Sequence, residues 1–201
     1  MDSNINIDDE EVSPASRPNN PHGIFLDFRF QPPLLFGETT GLTISEDGLT
    51  GYNHGVGWRT LLGDNTINFE NNPGKYYFDI KINTVSSSWG NSIGVADKAY
   101  NNSSTTILGY KEYGGAKSWG WFSYNSGLEG FLHDGVTYGE KPNKYNDGDV
   151  IRVVIETADK SISFYKNDVL VGDKPFVDID SNEVIPAFTL CGEADSITIL
   201  K

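Results

Sequence analysis

The sequence predicts an all-β protein built as a sandwich of two antiparallel sheets. Three observations carry that expectation. Apolar and polar residues alternate at period two, turn signals interrupt the runs every few residues, and no apolar stripe of useful length appears at helical spacing. The clearest run is Lys75 to Ile82. It sets Tyr76, Phe78, Ile80 and Ile82 on one face and Lys75, Tyr77, Asp79 and Lys81 on the other. That is the pattern of a strand with one buried and one wet side.

The same alternation recurs along the chain. Ile151, Val153 and Ile155 oppose Arg152, Val154 and Glu156, Ile162 and Phe164 share a side, and Ser196 to Ile199 ends the series. Between these runs stand Asp47-Gly48, Asp134-Gly135 and Asp147-Gly148, pairs suited to tight turns. Asn167-Asp168 separates Phe164-Tyr165-Lys166 from Val169-Leu170-Val171, and both turn residues tolerate positive φ, so a short hairpin is expected there. Twenty-two glycines and nine prolines add to the punctuation. Trp119 and Trp121 lie two apart, so in a strand they share a face and are expected to fill the core.

Residues 1–22 read as a disordered acidic tail, with Pro14, Pro18 and Pro21 and almost no large apolar side chain. Order is expected from Ile24, Phe25, Leu26 and Phe28 onward, so 23–201 forms a single domain, with Pro32-Pro33 extended or in a turn. A domain of that size buries about 70% of its unfolded surface and needs no staples. Cys191 is the only cysteine, which excludes an intrachain disulfide and paired-cysteine zinc sites. Neither a signal peptide nor a run of 18 apolar residues is visible, so a cytoplasmic or nuclear location is expected.

The formal charge is −13, from 15 basic and 28 acidic residues with no basic cluster. Such a field repels phosphate backbones and anionic lipid, so neither nucleic acid nor membrane is expected as a partner.

Several elements stand in a familiar order. Ser45-Glu46-Asp47-Gly48-Leu49, Gly74 to Ile80 and Ile93-Gly94-Val95-Ala96 come first. Ser118-Trp119-Gly120-Trp121-Phe122, Leu132-His133-Asp134-Gly135, Asp147 to Ile151, Ile162 to Asn167 and Ile185-Pro186-Ala187-Phe188 follow. Over residues 40–200 the chain resembles the SPRY domain of ryanodine receptors, tripartite-motif ligases, Ran-binding proteins and SOCS-box adaptors. The resemblance implies a bent β-sandwich of concanavalin A type. It also implies a non-catalytic role, with loops at one end gripping a peptide or a protein surface.

Some site residues carry over from the SOCS-box adaptors. Leu108-Gly109-Tyr110 matches a tyrosine that lines their peptide site. Leu190-Cys191-Gly192 matches their Val-Trp-Gly turn, keeping the glycine and losing the tryptophan. The position of their peptide-binding arginine falls near Thr66, in a stretch without a basic residue, which separates this chain from their asparagine-rich ligands. The chain shows no SOCS box, RING or coiled coil, so a ubiquitin-ligase role would need another subunit.

Trp89, in a polar loop, reads as readily as an interface anchor as a structural residue. Tyr100, Tyr110 and Tyr113 lie in a Gly-rich stretch suited to contact. Loops 60–72, 86–92, 99–117 and 190–194 are expected to converge on one shallow pocket. No nucleophile elbow, zinc-binding helix motif or P-loop is present, and no catalytic group, metal or cofactor is expected. A carbohydrate-binding lectin is the alternative, since lectins share the implied architecture.

Overall fold

The computed structural model describes residues 22–31, 41–85, 90–100, 107–111, 117–123 and 129–201. Residues 1–21 of the expected tail, Pro32-Pro33, Trp89 and Tyr113 lie outside them.

Among the described residues, sixteen strands build two sheets of eight. The first sheet has at its centre the alternating run found in the sequence, β7 (Lys75–Thr84), ten residues long. On one side of it come β12 (Val150–Glu156), β13 (Ser161–Lys166) and β14 (Val169–Phe176). On the other come β16 (Ser196–Leu200), β4 (Thr50–Asn53) and β3 (Leu42–Ile44). The short β1 (Ile24–Phe25) pairs with β7 in parallel, opposite Tyr76 and Tyr77.

The second sheet runs β11 (Val136–Tyr138), β10 (Gly130–His133), β9 (Ser118–Ser123), β8 (Asn91–Asp97), β15 (Glu183–Leu190), β5 (Arg59–Gly63) and β2 (Phe30–Gln31). The two-residue β6 (Ile67–Asn68) pairs with the start of β15. The sandwich expected from the sequence is therefore the sandwich found.

Its core lies between the sheets. Phe78, Ile80, Ile82, Val153, Ile155, Phe164, Ile197 and Ile199 face Leu61, Ile93, Val95, Trp119, Trp121, Phe131 and Phe188. Trp121 is fully buried and meets Tyr145 edge-on at 5.2 Å. Each large side chain sealed here contributes roughly 1.5–3 kcal/mol. The turn signals behave as expected: Asp134, Asn167 and Asp168 take φ of 50°, 50° and 62°, and Gly48 and Gly148 are also positive.

One expectation needs refining. Tyr77 and Val154, placed by alternation on the wet face, are buried. His22, Phe25 and the Arg152 guanidinium lie against the Tyr77 ring, so an element from outside the run covers it.

Candidate functional site

The outer face of the second sheet is built from small residues. Ser92, Gly94 and Ala96 on β8 stand beside Ser118 and Gly120 on β9. The register pairs Gly94 with Gly120, leaving a trough in which Leu108 sits fully buried. A Cβ on Gly120 would lie 2.5 Å from Ser92 Oγ and 3.3 Å from Leu108 Cβ, so the trough closes with any larger residue.

Hydroxyls of the sheet then hold the covering segment. Leu108 N donates to Thr189 Oγ1 at 3.1 Å and Gly109 N to Ser118 Oγ at 2.8 Å. Gly109 O accepts from Gly135 N at 2.7 Å. Gly109 has φ +79°, and a Cβ there would lie 2.4 Å from Leu132 O. Only glycine meets both conditions without strain.

This clamp fixes Tyr110. The side chain is half-buried, its ring 6.2 Å from Phe122, and with Trp58 it packs on a cluster of Ile107, Phe122 and Leu132. Trp58 ends the loop 54–58, which crosses from β4 to β5. That loop is bonded to the returning crossover between β15 and β16: Gly57 N donates to Cys191 O at 3.0 Å, and Asn53 N to Asp195 O at 2.8 Å.

The turn after Leu190 is rigid. The buried Asp195 carboxylate accepts from Cys191 N at 3.1 Å and Gly192 N at 2.6 Å, and Asn91 Oδ1 also accepts from Cys191 N at 3.2 Å. Leu190 and Cys191 are each 1% exposed, backbone included, and Gly192 is buried, so these residues support the face from beneath, and Glu193 and Ala194 are the exposed part of the turn. Burial, then the Asp195 charge, pushes the Cys191 thiol up to about 12, which keeps it protonated and unreactive at neutral pH. Among the described residues no group of three metal-ligating side chains forms.

Trp58 and the loop 54–58 link Tyr110 to the Leu190–Gly192 turn, while Thr66 lies apart from them. Thr66 precedes Ile67, which pairs with Val184, six residues before Leu190 on β15. At ~3.3 Å per residue that is about 20 Å away. The loop beside the turn is 54–58 rather than 60–72, because β5 carries the chain to the far end before residue 64.

The arginine sought near Thr66 has a neighbour the sequence reading passed over. Arg59 opposes Leu190 at the head of β5. Its guanidinium lies among Gly41, Gly55 and Gly57, within 3.3–3.6 Å of a Cβ built on each. It is half-buried, and among the described residues its Nε has no hydrogen-bond partner and the side chain makes one 3.4 Å bond, to Trp58 O. Its signal was the Gly-x-Gly-Trp-Arg run of residues 55–59, legible only as a turn without the fold.

Two antiparallel sheets with aromatic residues fixed by a clamped surface loop define a β-sandwich of the recognition-module class. The chain belongs to the SPRY domain family, whose model matches residues 75–200. SPRY domains are a family of protein-interaction modules, generally non-catalytic. Solved structures agree on the fold. The SPRY domain of human HERC1 superposes with a TM-score of 0.62 at 17% identity, covering 80% of this chain and 92% of that one. The TRIM65 PSpry domain gives 0.65 at 14% identity, covering 88% and 93%. A human SPRY domain gives 0.55 at 18%, covering 79% and 94%. No curated protein sequence matches the chain.

Proposed function

We propose that the chain is a non-catalytic module that binds a short segment of a partner protein. The segment lies across Tyr110 and Trp58, over the turn that the buried residues 190–192 support, and offers a carboxylate to Arg59. The observation that supports this reading best is the clamp on residues 107–110. It spends two sheet hydroxyls and a glycine on fixing one half-exposed tyrosine beside a half-exposed tryptophan. Rigid aromatics lose little entropy on binding and are enriched among interface anchors. Arg59 adds a donor-rich fork that no carboxylate of the described residues engages.

Affinity capture from native lysate, read by mass spectrometry, tests the reading with wild type, Tyr110→Ala and Arg59→Ala side by side. A partner held by wild type and lost from folded Tyr110→Ala supports it. A partner retained equally by both variants places the binding surface elsewhere.

A further inference from the structure

Away from the Tyr110 face, a slot of about 260 Å3 is lined by Trp119, His133, Tyr138, Phe176, Asp178 and Asp180, among others. Tyr138 belongs to β11 and Phe176 to β14, the outermost strands of the two sheets. Asp178, Ile179 and Asp180 line the slot and directly precede the start of β15 at Glu183, so the slot lies toward the end of β15 remote from Leu190.

The volume falls below the ~300 Å3 at which small-molecule pockets begin, and suits one side chain. Its walls are aromatic. The Trp119 and His133 rings stack at 4.7 Å and 13°, and Tyr138 lies 6.2 Å from His133 and 5.6 Å from Phe176.

Its charged and imidazole groups accept rather than donate. His133 Nδ1 lies 3.0 Å from Ser118 O, and a carbonyl only accepts, so Nδ1 carries the proton. In the neutral ring Nε2 is then a lone pair. Asp178 and Asp180 supply carboxylates, and neither lysine nor arginine lines the slot. Asp178 has no ion-pair partner among the described residues, while Asp180 pairs with exposed Lys117 at 3.1 Å, a contact of the weak surface kind. Exposed Val136 and Val177 lie close by in sequence, apolar footing for flanking residues.

Aromatic faces with surrounding acceptors select a cation, and a planar one best. A guanidinium stacks on rings, is weakly hydrated, and reaches several acceptors from one fork, whereas an ammonium is a hydrated point charge. The net charge of −13 draws basic partners toward the whole molecule. We propose that the slot between β11 and β14 is a second recognition site, which takes the arginine side chain of a basic partner segment.

The test titrates N-acetyl-arginine amide into the protein at neutral pH. The Trp119 indole and His133 ring resonances are followed. Saturable shifts in the millimolar range are expected, weaker with N-acetyl-lysine amide and absent with the uncharged isostere N-acetyl-citrulline amide. Asp178→Asn weakens binding several-fold and Tyr138→Ala abolishes saturation. Both residues are exposed, so the fold survives. Tyr110→Ala leaves the titration unchanged, which separates this site from the first. Equal shifts from the citrulline amide, no saturation with the arginine amide, or titrations unaltered in both slot variants would overturn the proposal.

Discussion

The two outer faces of this sandwich start from similar alternating strands and end differently. The outer face of the first sheet carries ions, and residues 22–25 cover it only around Tyr77. Arg152 binds Asp79 through Nε and Nη2 at 2.7 and 2.8 Å and reaches Asp168 at 2.9 Å, and Lys174 bridges Glu156 and Asp159. The outer face of the second sheet carries Gly94, Gly120, Ala96, Ala187 and small hydroxyls, and a segment of the chain itself covers it. Charged outer residues leave a face only partly covered. Small outer residues make a trough that recruits a cover, and the cover then presents the aromatic contacts. The proposed binding surface lies on the face with small, uncharged outer residues.

The largest effect should come from breaking the cover. Leu108→Ala removes a fully buried side chain from the trough and is expected to cost about 2–5 kcal/mol, measured by urea unfolding. Partner capture should fall with it, because Tyr110 loses its foundation. Gly109→Ala keeps the trough filled but forces a Cβ into a left-handed, crowded site, with an expected cost of about 1–3 kcal/mol in the same assay.

The smallest effect lies beside the charged sheet. Burial alone would raise Asp149, yet the Asn146 N–H, the Asn167 amide and the Lys166 ammonium together hold its carboxyl below the usual value. A folded value below the unfolded one, ~3.9, stabilises above that pH and is lost as pH falls through the folded value. Asp149→Asn should therefore flatten the acid limb of the stability profile below pH ~4, by about 1 kcal/mol or less. It should leave partner capture untouched.

Much of this was legible in the sequence. Period-two alternation located β7, β12, β13 and β16, since a strand buried on one side must alternate, and Asn167-Asp168 announced its hairpin through residues that accept positive φ. The pairing of Tyr110 with the Leu190–Gly192 turn came from resemblance. The position of Thr66 at the opposite end did not, because the length of β5 separates residues that look adjacent along the chain. Arg59 and the His133 slot were missed for a related reason. Each depends on strands distant in sequence, Arg59 on its pairing with Leu190 and the slot on two edge strands from different sheets. Periodicity reports which face a residue takes. It does not report what the neighbouring strand places beside it.

The pairing of β1 has a consequence for how the domain can be handled. Because β12 occupies one edge of β7, β1 and β16 share the other: Ile24 opposes Tyr76, Leu200 opposes Asp79, and Lys201 bonds Asp27 at 2.6 Å. The first described strand and the last thus lie end to end along one edge of β7, with Ile24 and Leu200 three β7 positions or about 10 Å apart. A domain with ends so placed can be spliced as a cassette into a surface loop of another protein, or circularly permuted across a short linker from residue 201 to residue 22. In either arrangement the foreign chain leaves from the first sheet, and the Tyr110 face on the second stays clear.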